Sequence, residues 1–302
     1  MKQYLTRRRG IAAAAVLAVG IAVPVTVAQV SGSSADARPR TAAPVAADAA
    51  AAARTAFYAY HGKTAAYHLA AYKKLKGAGY RPISLNVSNR ANPAYAAVWV
   101  KRSGPAFTEV VGKNAAGFQS SFNALRKKGY QPTVVTATGE GKTALYAGIF
   151  EKKGGKFSAH ANLTAAGLAK YNKYAAQHGF IPVSVDAYGS AKSPRYVAVW
   201  NANPRHVKWN VSVARSFAAH DKLFQAQMKR GWRPSFVAVG TGLTYTAIWR
   251  NDRIGAWYEY TGMSSSGYQQ RFDYFKARGF HPIQVAAGGA GANARYAAIW
   301  AR

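Results

Sequence analysis

Residues 114–150 read NAAGFQSSFNALRKKGYQPTVVTATGEGKTALYAGIF, and they contain most of a pattern that recurs along the chain. Asn114 can begin a helix, because a short side-chain oxygen accepts from the unpaired N–H groups of the first turn. Gly129 fits the end of that helix, where the backbone needs a positive φ. Between them, apolar residues follow one face at Phe118, Phe122 and Leu125. The spacing predicts an amphipathic helix of about 14 residues.

The residues around and after this helix predict strands. In the copy that precedes it, residues 83–87 (ISLNV) follow the proline and alternate between apolar and polar, which is typical of a strand. After a glycine-rich loop, residues 146–150 are apolar or small at every position, so we predict a central strand covered on both faces. A short basic turn then leads to a further strand that begins at Phe157.

Both motifs of this pattern recur five times in step. Gly-aromatic-x-Pro begins at Gly79, Gly129, Gly179, Gly231 and Gly279, with spacings of 50, 50, 52 and 48 residues. Tyr-x-Ala/Gly-x-Trp/Phe begins at Tyr95, Tyr146, Tyr196, Tyr245 and Tyr296. Candidate helix caps stand at Thr64, Asn114, Thr164, Ser216 and Ser264. Opening strands are predicted to begin at Phe57, Phe107, Phe157, Val207 and Trp257.

The sequence therefore predicts an α+β repeat protein of five strand-helix-strand-strand units. We place the repeats at residues 57–106, 107–156, 157–206, 207–256 and 257–302. Three consecutive strands, two from the end of one repeat and one from the start of the next, are expected to form a meander. Each sheet would then take its third strand from the next repeat. Residues 57–61 would then complete the last sheet and close a propeller-like ring without free edges. An open solenoid is the alternative.

The first 56 residues differ from the repeats. Residues 1–37 combine basic residues, an apolar stretch and an Ala-x-Ala site at residues 35–37, which together predict a cleaved signal peptide. The sequence Thr6-Arg7-Arg8 loosely resembles a twin-arginine motif and indicates that export route as an option. Residues 38–56 are rich in Ala and Pro and are expected to form a linker. We therefore predict a secreted, extracellular protein, with association with the cell wall as an option, and no transmembrane segment once mature.

Composition excludes several classes of protein. The 302 residues contain no cysteine, which rules out disulfide scaffolds, cysteine-ligated zinc and thiol nucleophiles. Hydrophobic residues make up 49% of the chain, so it has the material for a core and is not a disordered basic tail.

The two motifs together resemble the bacterial tandem repeat domain, a repeat of about fifty residues in secreted bacterial proteins. The Gly-Tyr-x-Pro of residues 129–132 and the Tyr-Ala-Ala-Val-Trp of residues 95–99 carry the resemblance, which extends over residues 57–302. Similar repeats form the N-terminal half of fungal polyglycine hydrolases, beside a serine hydrolase domain of the β-lactamase type. The resemblance implies an extracellular accessory or binding role. Because the repeats continue to Arg302, we expect the hydrolase half to be absent.

No constellation in the sequence points to a reaction. No serine has a lysine three residues later, and no Gly-x-Ser-x-Gly is present. The run of residues 264–267 (Ser-Ser-Ser-Gly) is interpreted as a helix cap, and the Gly-rich residues 288–291 as a hairpin loop. We predict a non-enzymatic protein without metal or cofactor.

Histidines and acids are interpreted structurally. His68 and His220 occupy an aromatic slot of the helix and are expected to be partly buried. The acids occupy different repeat positions, apart from Glu109 and Glu259, and are expected to pair with surrounding Lys and Arg.

The charge indicates anionic partners. The chain has a formal net charge of +31, and the repeat region keeps 34 Lys and Arg against eight acids. Basic residues recur in the last turn of the helices and around the hairpins, so a ring would carry basic rims. The candidate ligand-binding residues are Lys101, Arg102, Lys152, Lys153, Lys156, Arg205, Lys208, Arg250 and Arg253. Teichoic acid, acidic glycan and DNA are the candidate partners; a solvated surface without a specific ligand is the alternative, and so is an accessory domain or remnant of a secreted serine hydrolase.

Overall fold

The computed structural model describes Arg40–Thr41 and residues 55–302 of the chain. The predicted signal peptide and most of the predicted linker lie outside these residues. Strand β1 is Arg40–Thr41. The first repeat contains β2 (Phe57–Lys63), α1 (Ala65–Gly77), β3 (Tyr80–Ser88) and β4 (Ala94–Lys101), and the second β5 (Phe107–Lys113), α2 (Ala115–Lys127), β6 (Tyr130–Thr138) and β7 (Leu145–Lys152).

The other three repeats follow the same order. The third contains β8 (Phe157–Leu163), α3 (Ala165–Gln177), β9 (Phe180–Gly189) and β10 (Pro194–Ala202). The fourth contains β11 (Trp209–Arg215), α4 (Phe217–Lys229), β12 (Arg233–Val239) and β13 (Tyr245–Arg250). The fifth contains β14 (Trp257–Met263), α5 (Ser265–Ala277), β15 (His281–Gly288) and β16 (Arg295–Ala301). The predicted α+β repeat is confirmed.

The helices begin and end where the sequence predicts. Each cap side chain accepts the N–H of the residue three positions on, at Thr64, Asn114, Thr164, Ser216 and Ser264. The motif glycines that follow the helices have φ between 70° and 80° at Gly79, Gly129, Gly179, Gly231 and Gly279. A β-carbon is disfavoured at that φ, which explains why glycine recurs there.

Each repeat contributes all three of its strands to one sheet. In the first repeat β4 lies between β2 and β3 and is antiparallel to both. The prediction that β2 completes the last sheet is therefore wrong. The physical reason is the path of the chain: α1 carries it from the end of β2 to the start of β3, so these two strands run parallel, and β4 fills the gap between them.

One strand starts later than predicted. In the fourth repeat β11 begins at Trp209 and not at Val207. The backbone of Val207 is held in the preceding turn by Asn203, whose Oδ1 accepts its N–H at 3.0 Å and whose Nδ2 donates to its carbonyl at 2.9 Å. This local turn outcompetes strand pairing.

The repeats join through their inner strands β3, β6, β9, β12 and β15, each of which contacts the inner strand of the repeat before and after it. These contacts run in a circle that includes the first and last repeats. There, Ser84 Oγ donates to the carbonyl of Val285 at 3.3 Å and accepts the N–H of Val285 at 3.0 Å. Ser184 makes the same two bonds with Val135 between the third and second repeats, at 3.3 and 3.2 Å. The described repeats thus close on themselves through side chains and packing, while the five sheets stay separate.

The outer edge of the fifth sheet carries an additional strand. β1 pairs antiparallel with β14, with Arg40 opposite Glu259 and Thr41 opposite Tyr258. Two residues of the predicted linker therefore join the fold.

The core follows the repeated strand motif. The tryptophans Trp99, Trp200, Trp249 and Trp300 are at most 1% exposed. The prediction that this strand is covered on both faces is confirmed for the central strands, because the residues between these aromatics are buried as well. Among the described residues, no helix has the length and apolar character needed to cross a bilayer.

Candidate functional site

The direction of the strands brings the two basic sets of the sequence to one end of the repeat circle. Tyr80, which follows the last turn of α1, pairs with Lys101 at the end of β4. The C-terminal turns of the helices therefore lie at the same end as the open ends of the hairpins, where the last strand of each repeat finishes. We call this end the basic face. Its exposed residues include Lys73, Lys74, Lys76, Lys101, Arg102, Arg126, Lys127, Lys128, Lys152, Lys156, Arg205, Lys208, Lys229, Arg230, Arg253, Lys276 and Arg278.

Seven of the candidate ligand-binding residues are exposed on this face. They are Lys101, Arg102, Lys152, Lys156, Arg205, Lys208 and Arg253. Lys153 also lies there, but its Nζ is 3.3 Å from Glu151 Oε2 and its side chain is 33% exposed. The set is therefore brought together as a surface, with Lys153 partly neutralised.

Arg250 is half-buried and is bonded to the neighbouring repeat. Its Nη2 donates to the carbonyl of Pro182 in the third repeat at 2.6 Å. Burial lowers the pKa of Arg250 to about 10, and nearby Asp252 offsets part of that effect. This side chain joins two repeats, so it differs from the exposed cations of the candidate set.

Acids near the basic face are already paired. Glu151 Oε1 lies 3.1 Å from Arg81 Nη2, and Asp252 Oδ1 lies 2.7 Å from Arg233 Nη2. Both arginines are buried. These carboxylates neutralise two buried arginines inside the fold, and of the described residues of the basic face only Lys153 is shown to share one of them. The expected pairing of acids with Lys and Arg is confirmed for these two.

Two exposed tyrosines lie among the cations and were not singled out from the sequence. Tyr174 is 51% exposed and stacks on His178, with ring centroids 3.9 Å apart. Tyr274 is 45% exposed, and the guanidinium of Arg278 lies 3.5 Å from its ring centroid. Both tyrosines occupy the tenth position after the helix cap, so comparison of the repeats by register finds them.

The opposite end of the circle contains an axial pocket of about 280 Å³, to which the ends of all five inner strands contribute. Asp186 lies at its edge and is buried. The carboxylate accepts from Thr136 Oγ1 at 2.5 Å and from the N–H groups of Ala137 and Ala187 at 3.0 and 2.9 Å. Burial raises the pKa of Asp186 to about 7, although these three donors favour the ionised form. The carboxylate thereby links the third repeat to the second through hydrogen bonds.

Two buried histidine–glutamate pairs link neighbouring repeats. His68 Nε2 lies 3.2 Å from Glu109 Oε2, and His220 Nε2 lies 2.9 Å from Glu259 Oε1. Burial raises the pKa of Glu109, and His68 offsets part of that rise. The histidines were expected to be partly buried, but both are fully buried. The acids were expected to pair with Lys or Arg; here a histidine on the preceding repeat's helix takes that place, because it points at the same strand position. Among the described residues, no group of three or more His, Cys, Asp or Glu could hold a metal ion.

Five copies of one strand-helix-strand-strand unit, each contacting two others, define a tandem repeat protein. A family model described as polyglycine hydrolase-like structural repeat matches residues 54–102, 104–153, 154–203, 207–252 and 254–302, and the chain belongs to this family. A comparison with curated proteins found no match.

Proposed function

We propose that this chain is a secreted binding module whose basic face binds anionic polymers of the cell wall or the extracellular matrix. One observation carries the proposal: the helix ends and the hairpin ends of the repeats meet at the same end of the circle, while Glu151 and Asp252 are used within the fold. Secretion rests on the predicted signal peptide of residues 1–37.

Repetition supports a polymer as the ligand. Equivalent cations recur about every fifty residues, so a chain of phosphates or carboxylates can contact several repeats at once. Weak contacts then add, because each contact after the first is made at a high effective concentration. A small anion would gain nothing from the repetition.

The second candidate function is that of an accessory domain or remnant of a secreted serine hydrolase. The family description, polyglycine hydrolase-like, favours it. Generic esterase and peptidase assays do not separate the two candidates, because an accessory domain has no activity of its own. Binding to an intact polyglycine substrate does, since the basic face offers nothing to an uncharged polymer.

Binding across a salt series tests the first candidate. The purified protein is titrated with teichoic acid, an acidic glycan and DNA at rising concentrations of NaCl. Affinity is expected to fall steeply with salt, because bound cations release counterions. An absence of binding at low salt to all three polymers overturns the proposal and leaves a solvated surface as the explanation.

A further inference from the structure

We use the word joint for the contact between two neighbouring repeats. The joint between the last and first repeats contains a serine hydrogen-bonded to a histidine. His61 Nε2 on β2 lies 3.0 Å from Ser265 Oγ at the start of α5. The ring of His61 is held between two tyrosines, with centroids 4.5 Å from Tyr268 and 5.1 Å from Tyr296. A serine hydroxyl within hydrogen-bond reach of an oriented imidazole is the arrangement that activates serine as a nucleophile.

The other four joints lack this pair, although they share the same register. The fold therefore does not require a serine and a histidine at these positions. The corresponding helix and strand residues are Ala65 and Val111, Ala115 and Ala161, Ala165 and Val213, and Phe217 and Thr261.

The pair lies in an open pocket at the end of the circle that is opposite the basic face. The pocket has a volume of about 570 Å³ and is lined by small residues besides the pair, among them Gly291, Ala292 and Ala294. Ser265 is exposed. A small acyl group can therefore approach its hydroxyl from solvent.

The start of α5 offers a donor for negative charge. The N–H groups of Gly267 and Tyr268 are bonded to Ser264, through its Oγ at 3.1 Å and its carbonyl at 2.9 Å. The N–H of Ser266 has no acceptor within the helix, because the first four N–H groups of any helix lack one. It belongs to the residue that follows Ser265, and a free backbone N–H can stabilise an oxyanion.

We propose that Ser265 and His61 form a nucleophile–base pair that accepts acyl groups from small carboxylic esters. Ser265 Oγ attacks the ester carbonyl while its proton passes to His61 Nε2. The C–O bond to the leaving alcohol breaks, and His61 returns the proton to that oxygen. Water then attacks the acyl-serine with His61 as base, which releases the acid and restores Ser265. This activity goes beyond the binding role proposed above and uses none of its residues.

The protonation state of His61 agrees with this role. Burial, with Lys63 as a second cause, lowers the pKa of His61 below its usual value, so the imidazole is neutral at pH 7. The other titratable groups in contact with the ring are Tyr268 on α5 and Tyr296 on β16. Burial raises the pKa of both tyrosines, and a hydrogen bond with the Ser265 side chain offsets part of the rise at Tyr296. Both are therefore neutral at that pH, and the imidazole tautomer with its proton on Nδ1 has Nε2 as the proton acceptor.

Covalent labelling of the full chain with a small alkyl fluorophosphonate tests the proposal. Ser265 Oγ forms the P–O bond, fluoride leaves, and His61 takes the proton. We expect one adduct by intact mass, located on Ser265 by peptide mass spectrometry, together with turnover of p-nitrophenyl acetate. Ser265→Ala is expected to abolish both, and His61→Val to slow labelling by about 100-fold. Both variants introduce residues that other joints already contain, and thermal unfolding checks that they fold.

A second serine–histidine contact in the chain provides the control. Ser158 Oγ lies 3.0 Å from His160 Nε2 on the same strand, away from any helix start. Ser158→Ala is expected to leave labelling unchanged. The proposal is overturned if the wild-type protein takes no adduct, if the adduct lies on another residue, or if Ser265→Ala or His61→Val labels at the wild-type rate.

Discussion

His68 and Glu109 meet across the joint between the first and second repeats, with Nε2 and Oε2 3.2 Å apart and both side chains buried. The pair recurs at one other joint and is replaced at the rest by apolar residues. Wherever the fourth residue after the cap is histidine, the facing strand of the next repeat has glutamate. The five helix–strand combinations are His68 with Glu109, Phe118 with Ala159, Leu168 with Val211, His220 with Glu259 and Tyr268 with Ala59.

A double-mutant cycle is expected to show that the two residues act as a unit. His68→Phe leaves the buried Glu109 carboxylate without its histidine, and Glu109→Ala leaves His68 with Tyr60 Oη, 2.6 Å from its Nδ1, as its remaining partner. Each variant should lower the free energy of unfolding by about 3 kcal/mol. The double variant installs the combination found at Phe118 and Ala159, so it should recover most of that loss. Urea unfolding measures the coupling energy, and purely additive losses would contradict the assignment. The same cycle at His220 and Glu259 repeats the measurement at the equivalent pair.

Closure of the circle is expected to show in two equivalent serines. Ser84 joins the first repeat to the fifth as Ser184 joins the third to the second. Replacement of either by valine, the size of residue that repeat two has at this register in Val134, leaves a buried N–H and carbonyl unpaired. Each should cost about 1–3 kcal/mol of stability. A cost for Ser184→Val alone would mean that the circle is open in solution.

Asp186 is expected to make stability fall as pH rises. Its pKa is raised to about 7 in the folded state by burial, against an ordinary value of 3.8. The folded state therefore binds the proton more tightly, so stability is unaffected below about pH 4 and decreases from there to about pH 7 by at most roughly 4 kcal/mol.

The comparison with Asp186→Asn isolates this contribution from that of other acids, since Asn86 shows that the register accepts an amide. The variant should become more stable relative to the wild-type protein across this pH range, measured by urea unfolding at each pH. A constant difference between the two proteins would refute the assignment.

The basic face is expected to carry the salt dependence of polyanion binding. Four exposed cations are changed together to glutamine at Lys101, Arg102, Lys152 and Lys156. With duplex DNA as the probe, the slope of log K against log salt should become shallower by up to about 3.6. The matched control changes four exposed lysines at the other end, Lys63, Lys113, Lys142 and Lys192. Equal effects of the two sets would show binding through net charge and not through this face.

Local features of the fold were predictable because they depend on neighbours in sequence. Asn114 and Gly129 locate one helix through a side-chain cap and a positive φ, and both interactions lie within a few residues. The aromatic ends of the central strand, such as Tyr95 and Trp99, are buried as the pattern predicts. The candidate site was harder to predict. The basic residues were found from the sequence, but their position at one end of the circle depends on the antiparallel pairing of Tyr80 with Lys101.

Periodicity and capping act over one or two helical turns, so the five-fold repetition, the order of elements within each repeat and the residues of the core could be predicted from the sequence. Which strands share a sheet could not, because an opening strand with the same pattern can join either of two neighbouring sheets until the crossover helix directs it. Only the tertiary structure brought His61 to Ser265, which lies 204 residues away. That contact exists because the first and last repeats meet, and a repeat pattern has the same form in an open array and in a closed one.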